Sequence, residues 1–135
     1  MNRREAREQA FVLIFERSIN HDTTDQIIDA AGLADDVIVD EYAEGTALGV
    51  ERGETALDEK IAAYIRGWKM DRLSKVSLAL LRLSIYEMTS RDDVPVSVSI
   101  NEAVNLAKKY GDAEDAPFVN GVLGSVAKEL EKADE

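Results

Sequence analysis

The sequence has no cysteine, which excludes disulfides and thiolate metal sites. Its one histidine, His21, cannot build a zinc or haem site without partners and reads as a solvated residue beside a helix start. Long apolar runs are missing too. Phe11 to Phe15 is five residues long and is closed by Glu16 and Arg17, too short for a signal-peptide core or a membrane span, so a cytoplasmic protein is expected. Strand-like alternation is confined to Val94–Ser99, next to a proline, and no hairpin signal occurs. The sequence offers no Ser/His/Asp set, no carboxylate pair with an identifiable substrate and no glycine loop to cradle phosphate. Neither catalysis nor a cofactor is expected.

What is present suits a helical domain. The 135 residues are enough for one domain that buries roughly two thirds of its unfolded surface. The net charge of −11 argues at first against nucleic acid, but the charge is unevenly spread. Residues 18–60 carry a net −10 and residues 111–135 a net −5, whereas 1–17 carry +1 and 61–110 carry +3. Two stretches therefore remain that can form a local basic face.

Apolar residues at three- and four-residue spacing predict a helix from Asn2 to Asn20, with arginines in its first turns. Asp22, Thr23 and Thr24 offer caps for a short helix containing Ile27 and Ile28, which Gly32 can end. Another helix is expected from Asp35 or Asp36 through Val37, Ile38, Tyr42, Leu48 and Val50. Gly45 and Gly49 weaken it, or allow a neighbour to approach closely. Glu54 to Arg66 repeats the pattern and Gly67 closes it, with Trp68 as a packing anchor in the link that follows. Leu73 to Met88 is apolar on nearly every side, as befits a helix surrounded by others. Its Arg82 and Glu87 must then have partners.

Pro95 to Gly124 holds the densest helix punctuation. Ser99 with Glu102 fits a capping box, and Asp93 with Pro95 permits an earlier start. Gly111 is expected to supply a left-handed stop after Lys108 and Lys109, and Asp115 with Pro117 opens the last helix. The fold class is all-α.

Two blocks, RREAREQAF near the start and LLRLSIYEM with DDVPVSVSINEAVNLAKKYG and FVNGVLG, identify a resemblance to the NusB family of bacterial transcription antitermination factors over nearly the whole chain. The resemblance implies about seven helices in two small bundles packed across one another, which divides the chain into subdomains 1–67 and 68–135. It further implies binding of boxA RNA with the ribosomal protein NusE, within an RNA polymerase complex that resists termination on ribosomal RNA operons. Monomer and homodimer both stay open.

Arg3 and Arg7 lie four apart with no acid four residues away, whereas Arg4 can pair with Glu8, so Arg3 and Arg7 are expected to be the freest cations. Charge alone makes this a solvated face. The resemblance makes Arg3, Arg4 and Arg7 an RNA-binding segment, less basic than is common in the family because of Glu5. Lys108, Lys109, Tyr110 and Phe118 form a second candidate surface, with cations for phosphates and aromatic rings for bases. The two rings fit core positions equally well, and Asp112, Glu114 and Asp115 would repel phosphate. For the NusE contact, the resemblance points to Phe15 and, on an exposed strip of the central second-half helix, Ser77. Two rival readings remain. One is an acidic helical adaptor that binds proteins only. The other is a relative of the amino-terminal domain of ribosomal RNA cytosine methyltransferases, although the chain has no cysteine nucleophile.

Overall fold

The computed structural model describes residues 1–35, 38–65 and 67–133, and within them the chain forms seven α-helices and one 3-10 turn. The helices are α1 (Arg3–Asn20), α2 (Thr24–Asp35), α3 (Glu41–Arg52), α4 (Glu54–Tyr64), α5 (Lys75–Ser90), α6 (Val96–Tyr110) and α7 (Asp115–Ala133), with the turn at Met70–Arg72. No strand occurs among the described residues, and Val96–Ser99 is the first turn of α6. No described helix is long and apolar enough to cross a membrane.

Several boundaries follow local chemistry. The Asn2 carboxamide accepts from the Glu5 N–H at 2.8 Å, and Thr23 and Gln26 exchange side-chain and backbone bonds as a capping box. The Asp40 carboxylate accepts from the Tyr42 N–H at 2.8 Å, and the Ser74 hydroxyl from the Ser77 N–H at 2.9 Å. Gly67 takes the left-handed conformation expected of it, with φ 79°.

Other boundaries differ from the expectation. The backbone runs helically through Gly32 to Asp35, because glycine stops a helix only when it leaves the helical region. The start expected at Asp35 or Asp36 falls instead at Glu41. Asp36 and Val37 lie outside the described residues, and Ile38 stands 86% exposed ahead of the helix. His21 is exposed and lies three residues ahead of α2, as expected, and it also closes α1, with φ 62° and its N–H donating to the Arg17 carbonyl. Pro95 sets the start of α6, so Ser99 lies inside the helix and is buried, bonded to the Ser84 and Glu87 side chains. Gly111 ends α6 without a left-handed turn, at φ −105° and ψ −172°. Its lack of a side chain serves another purpose: a Cβ there would lie 2.5 Å from an Asp115 carboxylate oxygen.

α5 is the axis of the molecule. It touches α1, α3, α4, α6 and α7, and Ala79, Leu80, Leu81, Leu83 and Ile85 are buried on its different sides. All seven helices contribute to one contiguous apolar core. α3 passes so close to α5 that a Cβ on Gly49 would meet the Tyr86 ring at 2.4 Å, whereas Gly45 has open space. The charges on α5 have the partners they require. Arg82 reaches Asp58 through Nε and Nη2, both at 2.8 Å, and Glu54 at 2.9 Å. Glu87 is fully buried and accepts from Arg7, Tyr42 and Ser99.

Candidate nucleic-acid interface

The first turns of α1 send their three arginines to three different places. Arg7 is 3% exposed, and its Nε lies 3.0 and 2.9 Å from the two Glu87 carboxylate oxygens. The expectation that Arg7 is among the freest cations is therefore overturned: it is a buried cross-link between α1 and α5. Spacing along α1 could not show this, because the partner lies 80 residues away. The Tyr42 hydroxyl donates to the same carboxylate, and burial together with that bond pushes its pKa up to about 12.

Arg3 remains at the surface but is paired. Its Nη1 lies 3.2 Å from Asp93, and its guanidinium sits 3.9 Å above the Tyr42 ring. Arg91 and then Arg3 draw the Asp93 carboxyl down to about 2. Arg4 bonds Glu102 on α6 at 3.0 Å, not Glu8 as its spacing suggested, and 73% of its side chain stays exposed.

Glu8 turns instead to the end of α6. One carboxylate oxygen accepts from Lys109 Nζ and from the Tyr110 hydroxyl, each at 2.5 Å. These two bonds, that from Lys109 foremost, hold the Glu8 carboxyl below its ordinary range, and Glu8 in turn raises Lys109 and Tyr110. Arg4 and Glu8 thus bridge α1 to α6, joining the amino-terminal arginines to Lys109 and Tyr110 in one surface. The Tyr110 ring is 5.0 Å from that of the buried Phe11 yet is 41% exposed, so it closes the core with one part and offers another to solvent.

The remaining candidates lie elsewhere. Lys108 is exposed and makes no ion pair among the described residues. It edges a groove of about 720 Å3 between α6 and α7 that Ile100, Val104, Ala116 and Pro117 also line. Phe118 is half-buried and grouped with Trp68, their ring centroids 6.1 Å apart, rather than with Tyr110. Trp68 is itself 59% exposed, so it rests on Phe118 at the surface and does not anchor the core. Phe15 is half-buried, 5.7 Å from Phe11. Ser77 is 1% exposed, which overturns its place on an exposed strip.

Ser77 is buried because it serves Asp115. Its hydroxyl and that of Ser74 donate to one Asp115 oxygen at 2.6 Å, and the Asp112 N–H donates to the other at 2.8 Å. Burial pushes this carboxyl up, but the Ser74, Ser77 and Asp112 bonds outweigh it and hold the group below its ordinary value. Asp115 is thus an internal brace, and only Asp112 and Glu114 of that acidic turn face solvent. Among the described residues no three His, Cys, Asp or Glu side chains gather as a metal site.

Comparison with known proteins agrees with this architecture. The family model described as NusB family matches residues 4–128. The transcription antitermination protein NusB of Acetivibrio thermocellus is 43% identical over 130 residues, covering 95% of this chain and 90% of the relative. The structure of T. maritima NusB aligns with a TM-score of 0.83 and 31% identity, covering 100% of this chain and 99% of that one. A crystal structure of the antitermination factors NusB and NusE in complex with double-stranded RNA holds a chain that aligns with a TM-score of 0.80 and 25% identity, covering 94% of this chain and 96% of that one.

Proposed function

The chain belongs to the NusB family of transcription antitermination proteins, and from that premise we propose that it binds boxA RNA jointly with NusE and so helps RNA polymerase resist termination on ribosomal RNA operons. The observation that carries this reading is the full-length likeness to stand-alone NusB proteins, one of whose solved relatives is held with NusE and RNA. Membership makes the chain a non-enzymatic factor, which sets aside the methyltransferase reading. A cytoplasmic location goes with the same role.

On this reading RNA lies along the surface that joins Arg3 and Arg4 to Lys109 and Tyr110. The cations hold phosphates, and the exposed part of the Tyr110 ring receives a base. Arg7 supports that surface from beneath. Each of the three surface cations already holds a carboxylate, from Asp93, Glu102 or Glu8, so RNA must exchange one anion for another. The protein alone therefore binds weakly, and NusE supplies the rest. We place the NusE contact beside Phe15, with Ser77 acting only through the Asp115 brace.

Titration of boxA RNA with this protein, with NusE and with both, at several salt concentrations, tests the reading. Tight binding is expected only in the mixture, with the three surface cations contributing a slope of roughly −2 in log K against log salt. Equal binding of scrambled RNA would reduce the interaction to nonspecific attraction. A complex with NusE that ignores RNA would instead support the adaptor reading, which the internal pairing of these cations favours.

A further inference from the structure

The turn between α5 and α6 carries a second cation aimed at the same anion as Arg3. Arg91 donates to Asp93 through Nε at 3.2 Å and Nη2 at 3.3 Å, and Arg3 donates to it through Nη1 at 3.2 Å. Both guanidinium groups also lie on the Tyr42 ring, 3.9 Å from its centroid for Arg3 and 4.6 Å for Arg91. The ring is fixed in turn, because its hydroxyl donates to the buried Glu87 that Arg7 neutralises. Two planar cations are thus oriented by one immobile aromatic surface and converge on one carboxylate. The site is open: side-chain exposure is 45% for Arg3, 32% for Arg91 and 52% for Asp93. Guanidinium forks donate to carboxylate and phosphate oxygens with the same geometry, so an anion site built for one fits the other.

We propose that Arg91 and Arg3 form a clamp for an RNA phosphodiester, with Asp93 occupying the place of the phosphate until RNA arrives. The clamp rests on the RNA-binding reading and extends it to Arg91, more than seventy residues beyond the amino-terminal arginines. Asp93 keeps the two guanidinium groups apart and aligned in the free protein, and it is the group that the phosphate displaces.

A simpler role for the Arg91–Asp93 pair is to brace the turn ahead of Pro95. Loss of a brace lowers stability but leaves the number of ions released on RNA binding unchanged, whereas loss of a phosphate contact reduces it. The test is fluorescence anisotropy of a labelled boxA RNA oligonucleotide, with NusE present, across a salt series, for the wild type, Arg91→Ala and Asp93→Asn. Arg91→Ala is expected to weaken binding about three- to tenfold and to make the log–log salt slope shallower by about 0.7. Asp93→Asn keeps the side chain's size and removes its charge, so it is expected to bind RNA more tightly than wild type, a gain that no folding defect imitates. An unchanged slope in Arg91→Ala, or no gain in Asp93→Asn, overturns the clamp while wild-type binding in the same titration leaves the RNA reading standing. Wild-type protein that shows no RNA binding, or binding insensitive to salt, overturns both.

Discussion

Arg7 carries a charge that hardly meets solvent, and its removal should reveal what it supports. Arg7→Ala strands the Glu87 carboxylate in the core and is expected to cost about 3–5 kcal/mol in denaturant unfolding. It is therefore unsuited as a test of RNA contact, unlike Arg4→Ala, whose side chain is largely exposed and which should leave stability within about 0.5 kcal/mol. Glu8→Gln frees Lys109 from its carboxylate and is expected to tighten RNA binding without adding a phosphate contact, so the salt slope stays at roughly −2. Asp115 gives a pH signature. Its folded pKa lies below its ordinary 3.8, so the stability it contributes is complete above about pH 4 and lost as pH falls through the folded value. Acid unfolding followed by circular dichroism should show a shallower acid limb for Asp115→Asn. At this scale the sequence told which residue types matter but not their partners. Arg4 took Glu102 rather than Glu8 because the choice depended on where α6 came to rest.

Among the elements, caps and glycines show what local chemistry does and does not encode. Thr23 acts within four residues of itself, so its capping role was legible from spacing, whereas Ser74 caps α5 just inside the stretch that apolar periodicity had assigned to the helix. Gly111 and Ser99 were legible as helix-boundary residues only in part, because Gly111 answers to the Asp115 carboxylate and Ser99 to α5. The two glycines of α3 looked alike in sequence and are separated by their surroundings. Gly49→Ala drives a Cβ into the Tyr86 ring and is expected to cost about 1–3 kcal/mol. Gly45→Ala meets nothing and is expected to stabilise by up to about 1 kcal/mol, a difference in sign that thermal melts resolve.

For the whole molecule, the all-α class was legible because helical periodicity is a property of each segment, and the family because its two blocks keep their order and spacing. The assembled surface was not legible, since it joins residues at opposite ends of the chain. One core shared by all seven helices leads us to expect a single cooperative unfolding transition for the halves 1–67 and 68–135, coincident by circular dichroism and by fluorescence of the lone Trp68. The bond between Glu8 and Lys109 spans 101 residues, and that between Arg7 and Glu87 spans 80. On a ribosome adding about 5–20 residues per second, the first helix therefore waits on the order of 4–16 s for its buried counter-ion to be synthesised. The arginines are synthesised well before the carboxylates that hold them, so a nascent chain carries them unpaired until α5 and α6 have followed.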